Sequence, residues 1–327
     1  MKYTVLTLFP EIPDAYFASS IMAKAIARGI IEYRAINIRD YALDRHNTCD
    51  DAPYGGGAGM LMLPEPLGRA LEAAGVGRRG IGDRGLGAGD DAGVSPEGAI
   101  FGDGAPGALR GCPPLRGGAQ DPLGGAGAGG GASPLSPIID RASPVPAGGR
   151  RAVYLSPSGR PFTQEMAWEM AGLGELVLVC GRYEGIDQRV VDLYIDDEVS
   201  VGDYVLSSGE VAALAVIDAT YRLVGEVIAE RSLREESFSG GLLEYPQYTR
   251  PEIYGSMRVP EVLLSGHHEK IRRWRLERRV ERTLRLRPGL ALRGREAGLF
   301  DGETNGIIDR MLSRGDAAEG VTRDERD

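Results

Sequence analysis

The chain has 327 residues and a formal net charge of -9, enough for two ordinary domains but too acidic to bind nucleic acid through its overall charge, so any basic surface must be local. Three widely spaced cysteines, Cys49, Cys112 and Cys180, with no C-x-x-C pair, support neither a disulfide framework nor a zinc site and fit a reducing cytoplasm. No apolar run approaches a membrane span and the opening MKYTVLTLFP lacks the plan of a signal peptide, so a soluble, cytoplasmic protein without a membrane partner is expected.

Tyr3 to Leu8 reads as a first buried strand. Pro10 to Pro13 breaks it, Asp14 suits a helix N-cap, and Phe17, Ile21 and Ala25 recur every four residues before Gly29 supplies the stop. Ile30 to Ile38 reads as a second strand. This strand–helix–strand opening predicts an α/β fold with a parallel sheet and crossover helices.

A polar loop from Arg39 to Met60 follows, with glycines at 55, 56, 57 and 59. Lacking a Cβ, they let a backbone approach a flat or phosphorylated ligand, although a plain surface turn reads equally well. No Gly-Lys-Ser/Thr follows, and the strand-then-helix setting of a dinucleotide fingerprint is missing. His46 stands without partners of metal-ligand spacing, so no metal site is expected. Pro64 to Ala74 resumes a helical pattern. From Gly75 to Gly149, glycine and proline make up roughly two fifths of the residues, above the level that marks low complexity, and a disordered insertion is expected.

Val153 to Leu155 reads as a short strand ending in a turn over Ser156 to Pro161, and Thr163 as the cap of a helix through Ala171. Leu176 to Cys180 is an uninterrupted apolar run, the pattern of a strand buried on both faces. The polar turn Gly181–Gly185, the acidic patch Asp196–Glu198 and the loop Val201–Gly209 come next, then an Ala-rich helix from about Glu210 to Val224. Ligands of open α/β sheets sit outside the carboxyl ends of strands, so these loops are the predicted pocket. Ser207 and Glu210 fit the S-x-x-E capping box, a structural role weighted above a nucleophilic serine because no base is evident.

Residues 229–245 read as an interdomain linker rich in ionisable groups. Between His267 and Arg287, nine Lys/Arg oppose three Glu, and Leu276, Val280 and Leu284 repeat every four residues while Ile271 and Trp274 fall nearer another side. Such a run is ordinarily a solvated helix face; its sign, opposite to that of the whole chain, raises the case for phosphate contact.

Together, Leu8-Phe9-Pro10, Asp44-Arg45-His46, Asp50-Asp51 with Pro53-Tyr54-Gly55-Gly56-Gly57 and Gly59-Met60, Leu155-Ser156-Pro157, Cys180 to Asp187, Gly202 to Ser207, Tyr248 to Glu252, Val262 to Gly266 and Ile271 to Arg275 resemble the bacterial tRNA (guanine-N1)-methyltransferase family (TrmD), of the trefoil-knotted SPOUT class. These motifs span residues 1–74 and 151–290 in family order. The resemblance implies a knotted methyltransferase domain over 1–74 and 151–228 and a small all-helical tRNA-binding domain over 246–315, with 75–150 as insertion and 316–327 as a polar tail.

It also implies that S-adenosylmethionine is held by Tyr154, Leu155, Ser156, Pro157, Gly181, Tyr183, Glu184, Val201, Gly202, Asp203, Tyr204, Val205, Leu206, Ser208 and Gly209. Asp50, Gly57, Gly59, Arg272, Arg273 and Arg275 would contact tRNA, whose guanosine 3′ of the anticodon (position 37) is methylated at N1 by a homodimer. N1 must lose its proton, so a carboxylate base and a cation near O6 are required; Glu236, at the position of a family aspartate, and Arg222 would fill these roles. Glu235, Glu184 and Glu244 are alternatives for the base by sequence. Magnesium dependence belongs to the family, while no residue here identifies a ligand set for it. Ser208 and Ala212 replace a family glycine and proline. A methyltransferase for another nucleoside and a non-catalytic RNA-binding relative are the competing readings, and the intact 181–185 and 202–207 loops argue against the second.

Overall fold

The computed structural model describes residues 1–79, 149–228, 233 and 236–313. Strand β1 (Lys2–Thr7), helices α1 (Glu11–Phe17) and α2 (Ser20–Ala27) and strand β2 (Glu32–Asn37) open the chain. Two short strands, β3 (Asp50–Asp51) and β4 (Leu61–Met62), pair antiparallel and make the glycine-rich stretch the loop of a hairpin, with α3 (Pro64–Ala73) behind it. Beyond residue 148 come β5 (Arg150–Pro161), α4 (Gln164–Ala171), β6 (Glu175–Cys180), α5 (Gln188–Tyr194), β7 (Asp197–Ser200) and α6 (Gly209–Tyr221).

The sheet runs β2-β1-β6-β5-β7, with every neighbouring pair parallel. The apolar run from Leu176 supplies its middle strand, and all six residues of β6 are buried. Alternation along the strands divides the core. Leu6, Val177 and Val179 pack with Met62, Leu67, Leu71 and Val190, on the side of α3, α5 and the hairpin. On the other face Tyr3 Oη and Thr220 Oγ1 of α6 are 2.9 Å apart. Helix α6 is apolar nearly all round: Ala213, Val216 and Ile217 are buried, whereas Val211 is 53% exposed.

Several expectations shift. Asp14 is not a cap; the first helix begins at Glu11 and Pro13 lies in its first turn, where no intrahelical N–H bond is lost. That helix ends at Phe17, and the break before α2 rotates the pattern, so that Met22 and Ala25 are buried while Ile21 is 44% exposed. β5 does not stop at Leu155 but bulges and rejoins β7 at Arg160. Of the acidic patch 196–198, Asp197 and Glu198 open strand β7, where Asp197 pairs with Arg151 (3.2 Å) and Arg160 (2.7 Å). Residues 75–79 belong to the fold, with Val76 buried and the Arg79 N–H donating to the Leu193 carbonyl at 2.8 Å. The rest of the expected insertion, 80–148, lies outside the described residues, as do residues 229–232 and 234–235 of the linker and the tail from 314.

Toward the C-terminus, helices α7 (Glu261–Leu264), α8 (His268–Leu286), α9 (Pro288–Glu296) and α10 (Gly302–Ser313) follow a two-stranded hairpin, β8 (Ile253–Tyr254) with β9 (Met257–Arg258), so this region is not wholly helical. Leu276, Val280 and Leu284 of α8 meet Ala291, Ile307 and Ile308 in a separate apolar cluster. Leu242 joins that cluster from the expected linker. Trp274 and Arg275 are covered on another side, by Tyr248 and Tyr245 respectively.

Candidate active site

The bulge of β5, the carboxyl ends of β6 and β7 and the start of α6 enclose a cavity of about 290 Å³, near the lower bound of roughly 300 Å³ for small-ligand pockets. Segments 154–158, 181–185 and 199–202 and the stretch from Tyr204 to Gly209 line it, with Ala212. Of the residues predicted to hold a cofactor, all line this cavity except Asp203, which lies outside the lining. Asp203 sits at the tip of a tight turn, across which the Tyr204 N–H donates to the Gly202 carbonyl at 2.9 Å.

Two backbones meet at the floor. The Gly209 N–H donates to the Gly181 carbonyl at 2.9 Å, and a Cβ on Gly209 would stand 2.7 Å from the Gly181 nitrogen and 2.8 Å from the Cys180 Cα. Only glycine allows that crossing. Ser208, by contrast, has φ -162, extended backbone open to any residue, so its departure from the family glycine strains nothing. Its side chain makes no cap bond.

The expected capping box is absent for a tertiary reason. Glu210 is 1% exposed and its Oε1 accepts from the Thr7 hydroxyl at 2.5 Å, while Thr7 Oγ1 accepts from the Phe9 N–H at 2.9 Å. A strand end from the first residues of the chain thus claims the carboxylate that sequence spacing assigns to the helix. The loop is tied a second time through Arg182: its guanidinium lies over the Phe9 ring at 4.4 Å and donates to the Ser207 carbonyl at 3.1 Å. Arg182 and Ser207 both line the cavity, although the sequence pointed to Ser207 only as a helix cap and to Arg182 not at all; the signal available was their place inside the matching motifs. Tyr154 is buried between these loops, and burial, aided by the Glu198 charge, raises its phenol pKa. Tyr183 is half exposed at φ +57, a left-handed conformation that costs a side-chain-bearing residue about 1 kcal/mol or more and recurs at functional sites.

Arg222 caps the far end of α6. Its Nη1 and Nη2 donate to Glu236 Oε2 and Oε1, both at 2.6 Å, a bidentate charge-assisted pair. The bond to Glu236 raises the Arg222 pKa further above its ordinary value. Neither residue lines the cavity. The thirteen residues of α6 separate the two sites by roughly 20 Å along the helix, so one chain does not bring them together. Of the alternative carboxylates, Glu184 lines the cavity, Glu244 accepts from the Gln247 side chain, and Glu235 lies outside the described residues.

The residues predicted to contact RNA occupy two places. Asp50 begins the glycine hairpin, whose loop holds Gly57 and Gly59. On α8, Arg272 pairs with Glu269 and Glu303 and Arg273 with Glu277, while Arg275 stacks 4.7 Å from the Tyr245 ring centroid. Much of the local positive charge is therefore offset by internal pairs. Among the described residues no group of three or more His, Cys, Asp or Glu is placed to hold a metal, so magnesium has no assigned ligands. No described helix is long and apolar enough to cross a membrane.

Comparison with known proteins gives this arrangement a family. The tRNA (Guanine-1)-methyltransferase TrmD family matches residues 1–81 and 119–293. A protein from Treponema denticola named tRNA (guanine-N(1)-)-methyltransferase is 46% identical over 308 residues, covering 94% of this chain and 98% of its own length. Proteins of the same name from Treponema pallidum (42% identical, 95% of this chain, 96% of theirs) and Borrelia duttonii (41%, 95% and 99%) are similar to it as well. The chain belongs to the tRNA (guanine-1)-methyltransferase TrmD family.

Proposed function

We infer that the protein transfers a methyl group from S-adenosylmethionine to N1 of a guanosine in tRNA, the one at position 37. The observation that carries this reading is the cavity at the β5 bulge and the ends of β6 and β7, where two backbones meet at Gly181 and Gly209 with no Cβ between them. That cradle suits a flat adenosine group: residues 154–157, 201–202 and 204–209 line it, and the Glu184 carboxylate at the 181–185 turn can accept bonds from ribose hydroxyls. When bound, S-adenosylmethionine supplies an electrophilic methyl on a sulfonium.

The chain's own residues handle the guanine. The Glu236 carboxylate retains lone pairs beyond those used by Arg222 and accepts the N1 proton. Arg222, fixed by the same pair, offers N–H donors to O6 as negative charge develops there. Because cavity and pair lie about 20 Å apart along α6, they cooperate only if a second subunit supplies one of them. An exposed apolar stripe on α6, Val211 and Ala215 with half-buried Leu214 and Ala219, supports a homodimer packed through this helix. We read the crossing of the 181 and 209 backbones as part of a trefoil knot. Residues 1–74 and 151–228 form the catalytic domain, and residues 246–315 the tRNA-binding domain. Asp50, Gly57, Gly59 and the α8 arginines Arg272, Arg273 and Arg275 would face tRNA, and a cytoplasmic location follows from that substrate.

The test is base-resolved mass spectrometry of tRNA incubated with enzyme and S-adenosylmethionine. N1-methylguanosine at position 37 is the expected product; a methyl group elsewhere, or none, overturns the assignment.

A further inference from the structure

We propose that Gly59 is a positioning residue for the cofactor pocket, its missing Cβ being the space that the Glu184 side chain occupies. The glycine hairpin and the 183–187 turn are laced together. The Glu184 N–H donates to the Met60 carbonyl at 3.0 Å, the Met62 N–H to the Gly185 carbonyl at 3.0 Å, and the Asp187 N–H to the Met62 carbonyl at 3.2 Å. Met62 and Ile186 form a parallel bridge at the same point. At the start of this ladder a Cβ on Gly59 would overlap the Glu184 Cγ and Oε1 and lie 2.8 Å from its Cδ. Glu184 is exposed, so its side chain can yield by rotating. An alanine at 59 therefore leaves the fold in place and swings the carboxylate away from the position it holds at the cavity.

The neighbouring glycines do not share this role. Gly55, Gly56 and Gly57 have positive φ too, but a Cβ on any of them meets nothing within 4 Å. The hairpin is then more than an RNA-facing loop: its root sets the geometry of the pocket's acidic group, and a change on one side reaches the other through a ladder of three backbone bonds. The inference rests on the reading that Glu184 contacts the cofactor.

Calorimetric titration of the RNA-free protein with S-adenosylhomocysteine tests it. Gly55→Ala is the control, because Gly55 (φ +88) and Gly59 (φ +86) share the positive φ that a Cβ disfavours, while a Cβ on Gly55 meets nothing within 4 Å. Gly59→Ala is expected to weaken binding roughly tenfold or more, the scale of a lost hydrogen bond to a charged group, and Gly55→Ala to leave it within about twofold. Glu184→Ala is expected to weaken binding as much, with Gly59→Ala adding nothing on top of it. Wild-type affinity in Gly59→Ala, or additive losses in the double variant, would overturn the role. So would thermal unfolding of Gly59→Ala far below that of Gly55→Ala, which would make Gly59 structural. No binding by the wild type would instead overturn the cofactor reading beneath it, and the inference with it.

Discussion

A site shared between subunits predicts complementation between two inactive chains. Methyl transfer needs reacting atoms about 3–3.5 Å apart, whereas the cavity at Ser208–Gly209 and the Arg222–Glu236 pair sit at opposite ends of α6, thirteen residues or roughly 20 Å apart. Glu236→Ala removes the proton acceptor and leaves its pocket intact; Glu184→Ala weakens the pocket and leaves its Arg222–Glu236 pair intact. In a dimer that pairs the pocket of one chain with the base of the other, a mixed dimer carries one site with both defects and one with neither. Random reassortment gives half mixed dimers, each with half its sites sound, so an equimolar mixture recovers about a quarter of wild-type activity. The assay is methyl incorporation into tRNA at cofactor well below the wild-type KM, after co-expression of differently tagged variants. Activity of the purified mixed dimer no greater than the mean of the two parental variants would refute the shared site.

Alone, Glu236→Ala should lower kcat by ~10²–10⁴ while S-adenosylhomocysteine affinity holds, with Glu236→Asp retaining activity; single-turnover kinetics decide, and unchanged turnover would move the base to Glu235 or Glu244. Thr7→Val strips the hydroxyl from the Glu210 carboxylate, whose Oε2 has no hydrogen-bond partner among the described residues, and should destabilise the fold by about 1–3 kcal/mol; a urea midpoint equal to wild type would contradict it. Burial opposes ionisation of Glu175, but hydrogen bonds from Thr4, Lys2 and Arg150 outweigh it and lower its pKa. A depressed folded-state pKa gives stability that is present above the unfolded value, near 4.5, and lost as pH falls through the lower folded value. Glu175→Gln should therefore flatten acid-side stability loss below about pH 4.5, measured by thermal melts from neutral pH downward.

The sequence by itself determined the parallel sheet, the strand at Leu176–Cys180 buried on both faces, the loops at the carboxyl ends of the strands and the helix that follows them. Each is written as local hydrophobic period and turn chemistry, which neighbours in sequence suffice to specify. The family motifs pointed to the methyl transfer, with Arg222 and Glu236 as the proposed carriers of its acid–base step. Only the tertiary structure decided which distant groups those elements would meet. Three acidic residues at 196–198 read as part of a loop until Arg79, Arg151 and Arg160 are brought against Asp196 and Asp197, and Asp197 and Glu198 open strand β7. Glu210 reads as a helix cap until Thr7, 203 positions earlier, takes its carboxylate. Gly59 reads as a loop glycine until Glu184 fills the space beside it. Strand order β2-β1-β6-β5-β7 makes neighbours of residues far apart in the chain, and a local pattern carries no record of that order.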